Sequence, residues 1–135
     1  MNMKNRGPGF WFGWAASIQS IYYIVTGLWA HVHISSFMWV TGPKTDIWLV
    51  KTVGILIVVI GITLLIARFR KHYPAEIIFL AIGSAIGLTM IDIYYVLIGR
   101  ISPIYLLDAV AELILVGMWS LGLHKSYSNR KTNRT

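Results

Sequence analysis

The sequence predicts an all-α integral membrane protein: four transmembrane helices packed as an up-down-up-down bundle, with both termini cytoplasmic. Three observations predict it. The 135 residues are 56% hydrophobic and only 13% charged, where a soluble domain carries about 25% charged residues. Four apolar stretches, at about 10–30, 47–67, 75–98 and 104–123, each approach the ~20 residues that a helix needs to cross a hydrocarbon core. The connections between them are short, so consecutive helices must be antiparallel neighbours. One domain, 1–124, follows, with a basic, mobile cytoplasmic tail at 125–135.

Each stretch carries its own punctuation. "RGPGF" precedes the first, "TGPKTD" the second with Thr45 or Asp46 as cap, "KHYPAE" the third and "GRISP" the fourth. Proline and glycine at these places end one helix and begin the next. The first apolar run exceeds the roughly 7 to 15 residues of a signal-peptide core, and Leu28 stands where signal cleavage wants a small residue. It is expected to be a permanent helix. No internal repeat divides the chain, which speaks against a transporter built from inverted halves.

Orientation follows from the placement of lysine and arginine. Lys4, Arg6, Arg68, Arg70, Lys71, Lys125, Arg130, Lys131 and Arg134 fall on one side of such a bundle, and only Lys44, Lys51 and Arg100 on the other. The positive side is cytoplasmic, and a bacterial inner membrane is the expected location. The formal charge of +7 then points to anionic lipid headgroups at the "RFRK" loop and the tail rather than to nucleic acid. Cysteine is absent, which removes disulfides, thiolate metal sites, iron–sulfur ligation and thiol redox chemistry.

Inside lipid, helices meet through small residues and polar side chains, because apolar surface does not distinguish a neighbour from a lipid tail. Such residues recur at helical spacing on one face of each stretch: Gly13, Ser17, Ser20, Gly27 and His31; Lys51, Gly54, Val58 and Gly61; Ala81, Ala85, Thr89 and Asp92; Asp108, Glu112, Leu115 and Trp119. A GxxxG pair, Gly83 and Gly87, lies to the side of the third face. At 1.5 Å per residue, Lys51, Asp92, Asp108 and Glu112 sit roughly 6 to 12 Å below the outer boundary, in one layer. His31, His33, Lys44, Asp46 and Arg100 stand just above that layer, while the cytoplasmic half is almost free of ionisable groups.

The stretch "IYLLDAVAELILVGMW" therefore poses the functional question, since it carries two carboxylates one turn apart in an otherwise apolar run. A charge near the bilayer centre costs about 2.5 to 3.5 kcal/mol on insertion scales. One reading is architectural: Lys51 reaches Asp108 or Glu112, and Arg100 bends back to Asp92 or Asp108, fixing helix register. The other is a polar pocket open to the outer side, where Asp92, Asp108 and Glu112 hold a proton or recognise a cationic ligand, with Lys51, Arg100 and His31 nearby. His31 and His33, two residues apart, diverge on a helix, so no metal is expected. The aromatics of "FWFGW" and "IYY" read as interfacial belt residues. No nucleophile elbow, HExxH or phosphate loop is present, and neither a catalytic residue nor a cofactor is assigned.

The second span "VKTVGILIVVIGITLLIAR", the "IGR" that closes the third and the acid early in the fourth resemble the DoxX-like group of small four-helix membrane proteins. The resemblance covers about 41–119 and rests on Lys51, Gly54, Gly61, Arg100 and Asp108. It implies the four-helix fold, and roles that run from accessory subunits of quinone-linked oxidoreductases to assembly factors, with no catalytic residue carried across. The expectation is a non-enzymatic accessory or assembly factor with an acid-rich pocket, acting within a homodimer or larger membrane complex. The alternatives are a proton-linked transporter or exporter subunit working as a dimer, and a quinone- or sterol-binding redox or isomerase subunit.

Overall fold

The structure, a computed structural model, describes residues 7–132; Lys4, Arg6 and Arg134, used above for orientation, lie outside them. The described residues form five helices and no strand: α1 (Pro8–Val32), α2 (Ile34–Thr41), α3 (Ile47–Arg70), α4 (Ala75–Leu97) and α5 (Tyr105–Thr132). Three of them, α3, α4 and α5, are long and apolar enough to cross a membrane. Their outward faces leave Leu56 and Val59 of α3, Phe79 and Met90 of α4, and Leu107 and Ile114 of α5 largely exposed, a surface that suits lipid rather than water.

The first stretch departs from expectation. α1 is 25 residues long, sufficient in length to span, yet Ser17, Gln19, Ser20 and Thr26 make it less apolar than the other three. Its buried residues explain why. Gln19, Ser20 and Tyr23 are all at most 1% exposed, so the polarity of α1 faces protein and not lipid. α1 packs against both α3 and α5, and α4 packs mainly against α5.

Close approach between α1 and α3 depends on glycine. A Cβ on Gly27 would lie 2.5 Å from the Gly54 carbonyl oxygen, and one on Gly54 would lie 2.9 Å from the Gly27 carbonyl oxygen. A Cβ on Gly61 would meet the Ser20 carbonyl oxygen at 3.0 Å. With Arg68 bonded to Ser17 further along, the order of these contacts makes α1 and α3 antiparallel. On the opposite flank, Phe12 lies over Gly122 and Tyr23 bonds Glu112, so α1 and α5 are antiparallel too.

Helix ends follow local chemistry. Pro8 occupies the first turn of α1, where its missing N–H costs nothing. Lys71 adopts the left-handed conformation (φ 51°) and its N–H and that of His72 bond back to Arg68 and Ala67 carbonyls, closing α3. Gly99, with φ +70°, follows α4. α2 was not foreseen. It forms because the His33 ring accepts from the Ser36 N–H at 3.2 Å as a cap, while Trp29 Nε1 donates to Ser36 Oγ at 2.8 Å and packs edge-on against Phe37. Lys44 Nζ donates to the carbonyls of Thr41 and Gly42 at 2.8 and 3.2 Å, satisfying the end of that short helix, and its burial lowers the pKa of its ammonium. A second difference lies at the C-terminus: the segment expected to be a mobile tail continues α5 as helix to Thr132.

Candidate functional site

The predicted inner faces coincide with burial. Ala81, Ala85, Thr89 and Asp92 of α4 are buried, as are Glu112, Leu115 and Trp119 of α5. Gly83 and Gly87 of the GxxxG pair have open space beside them. α4 and α5 thus bring carboxyls to a common seam, and α1 covers it.

Asp92 from α4 and Asp108 and Glu112 from α5 are electrostatic neighbours; Lys44 stands beyond Tyr105, its Nζ 5.1 Å from the centroid of that ring, and the Tyr105 phenol is in turn a neighbour of Asp92 and Asp108. Asp92 is 5% and Glu112 1% exposed. Two tyrosines of α1 meet them. Tyr22 Oη donates to Asp108 Oδ1, and Tyr23 Oη donates to Glu112 Oε2 at 3.0 Å while standing 3.3 Å from Ser84 Oγ. Below them, Trp119 Nε1 donates to Gln19 Oε1 at 2.8 Å, and Gln19 Nε2 donates to the Ala81 carbonyl at 2.9 Å. A polar seam therefore runs from Gln19 to Asp108 through the interior of α1, α4 and α5.

One atom in it is unmatched. Asp92 Oδ2 is buried and has no hydrogen-bond partner among the described residues, a condition it shares only with Trp11 Nε1. An unsatisfied carboxyl oxygen in a dry interior is costly, and it is accommodated by a proton, a water or a cation at that place.

The expected pairing with base does not form. Lys51 is half-buried on α3, a helix that packs against α1 rather than α5. Arg100 is exposed in the α4–α5 connection, where its N–H bonds the Tyr95 carbonyl. Neither cation makes an ion pair with the acids. His31 turns the other way, with Nδ1 3.0 Å from the Gly27 carbonyl oxygen and its ring beside Gly54. His33 caps α2, and the described residues contain no group of three His, Asp or Glu that would hold a metal ion.

Tyr22 and Tyr23, expected in the interfacial belt, are the residues whose role the sequence obscured. The available signal was their position, 14 and 15 residues after the first residue of α1, Pro8, which places them near the middle of a span and far from either interface. Replacing Tyr23 with phenylalanine is expected to cost about 1–3 kcal/mol, since a buried Glu112 oxygen loses its donor. Unfolding in mixed detergent micelles measures this. A change below about 0.5 kcal/mol would mean that Glu112 finds another donor.

Comparison of the chain with family models, with characterised proteins and with solved structures finds no match. The functional reading therefore rests on the geometry of the seam.

Proposed function

We propose that the chain is a non-enzymatic membrane protein, a four-span accessory factor whose carboxyl seam binds a proton or a small cationic ligand. The observation that carries this reading is Asp92 Oδ2, buried without a hydrogen-bond partner beside Asp108 and Glu112. Three acids gathered in a low-dielectric interior need protons or positive charge, and among the described residues no Lys or Arg forms an ion pair with them. Hydroxyl groups of Tyr22 and Tyr23 bond the carboxyls of α5; Asp92 lies within reach of Asp108, and its Oδ2 is the acceptor left for a proton or an incoming ligand.

In this reading α1 crosses the bilayer together with the three more apolar helices. Its polar side chains are turned inward, which lowers the cost of insertion. The excess of Lys and Arg at the end holding the α3–α4 connection and the C-terminal part of α5 makes that end cytoplasmic, in a bacterial inner membrane. The acids then lie in the outer half of the bundle, on the side of the α4–α5 connection.

The test is infrared difference spectroscopy of the purified chain, with tetramethylammonium as the cationic probe and Asp92→Asn and Glu112→Gln as assignments. A protonated-carboxyl band that diminishes when the probe is added, and that Asp92→Asn removes, is the expected result. A spectrum without such a band and without response to the probe would overturn the reading, since the acids would then be ionised and satisfied by other means.

A further inference from the structure

At the opposite end from the acids, the beginning of α1 and the end of α3 flank a half-open cavity of about 400 Å³. Arg68, Lys71 and Tyr73 line it with Ser17, and Phe10 and Trp14 form an aromatic wall. Arg68 is held in place: its Nε donates to Ser17 Oγ at 2.9 Å and its guanidinium also reaches the Tyr73 phenol, so the remaining N–H groups of the fork are the ones open to another acceptor. Among the described residues no carboxylate pairs with Arg68 or Lys71. Burial raises the pKa of Tyr73 and the Arg68 guanidinium beside its phenol draws it back.

The adjoining helix end adds to the positive field. α1 begins with no side-chain cap and no acidic residue in its first turn, so its N-terminal dipole is uncompensated there. Space is available as well. A Cβ on Gly9 would meet nothing within 4 Å, and the atoms nearest to one on Gly13 would be those of the Arg68 guanidinium and the Tyr73 hydroxyl, at 3.6 to 3.7 Å. Apolar side chains of both helices continue from the cavity: Trp14, Ile18 and Ile21 on α1 and Ile62 and Ile66 on α3 are each at least 42% exposed.

We infer that this cavity binds the phosphate of an anionic phospholipid, with Arg68 and Lys71 as the phosphate ligands and the acyl chains lying along the exposed faces of α1 and α3. Two cations, a phenol hydroxyl and a helix N-terminus converge on one concave place, which suits a phosphate. The aromatic wall and the apolar side chains next to it suit a headgroup that carries hydrocarbon. A free inorganic anion would use the first set and gain nothing from the second.

Native mass spectrometry of the full chain released from micelles containing dioleoyl phosphatidylglycerol or dioleoyl phosphatidylcholine tests the inference. One phosphatidylglycerol per chain is expected to be retained in preference to phosphatidylcholine. The double variant Arg68→Gln with Lys71→Gln lowers that retention at least about tenfold, whereas Arg130→Gln with Lys131→Gln, an equal loss of charge on α5, changes it by less than about twofold. Gly9→Leu fills the open mouth without touching a charge and is also expected to reduce retention, which keeps the test decisive if the arginine variant fails to fold. Equal retention of the two lipids, or equal loss in the two charge variants, overturns the site. Displacement of the lipid by millimolar inorganic phosphate would overturn the lipid as its occupant.

Discussion

Trp119→Ala is expected to lower stability by about 3–5 kcal/mol, the largest single effect in the molecule. Trp119 has no exposed surface and ties α5 to α1 and to the α3–α4 connection. Its indole packs against Phe12 at 5.7 Å and Tyr73 at 6.0 Å between ring centroids, and its Nε1 donates to Gln19 Oε1. Alanine removes those contacts, leaves a cavity, and strips the buried Gln19 oxygen of its donor. Because the separated helices of a membrane protein remain in lipid, the loss is one of packing and hydrogen bonding more than of hydrophobic transfer. Trp119→Phe separates the two, since it keeps most of the ring volume and is expected to cost only about 1–2 kcal/mol through the hydrogen bond. Reversible unfolding by increasing the fraction of anionic detergent measures both. A loss below about 1 kcal/mol for alanine would mean that neighbouring side chains collapse into the space, and that Trp119 does not organise the seam.

The second large effect is expected at Gly27. Gly27→Ala places a methyl group 2.5 Å from the Gly54 carbonyl oxygen and 2.8 Å from a Val58 methyl. The nearest atom is backbone, which no rotamer change can move, so α1 and α3 must separate along their tightest contact. A cost of about 2–3 kcal/mol is expected, together with weakened packing from Ser20 to His31. Gly87→Ala and Gly117→Ala provide the contrast, because a Cβ at either place meets nothing within 4 Å. Those changes are expected to stay within about 0.5 kcal/mol of the original stability. The same detergent titration decides the matter, and a Gly27→Ala protein as stable as the Gly87→Ala one would show that the α1–α3 approach is loose.

The two effects bear on the seam differently. Trp119 and Gln19 form its floor, next to Tyr23, so their loss disturbs the site directly. Gly27 acts on the far flank of α1, away from the acids. Should ligand binding by the seam persist in a folded Gly27→Ala protein, the carboxyl site would depend on the packing of α1 with α4 and α5 alone.

What the sequence by itself determined is local. Helix positions were legible because apolar length, proline and glycine act on neighbouring residues: α3 and α4 begin at Ile47 and Ala75 as read. Inner faces were legible because small and polar residues in lipid have few places to go, and Asp92, Glu112 and Trp119 are buried accordingly. α2 was missed because its cap is a histidine ring and its anchor a Trp29–Ser36 bond, neither of which has a strong signature in the chain. The helical tail was missed because a polar, basic composition does not forbid continuation of an apolar helix already nucleated.

Only the tertiary structure decided which groups meet. Charge alone favoured Lys51 and Arg100 as partners for the acids, since opposite charges attract at any separation. Packing order overrode it. α1 lies against both α3 and α5, so the tyrosines of α1 reach Asp108 and Glu112 while the lysine of α3 does not. Helical periodicity gives the direction of a side chain about its own axis, but the neighbour it finds depends on how the helices are arranged around one another, and that arrangement comes from contacts such as Gly27 on Gly54 and Phe12 on Gly122.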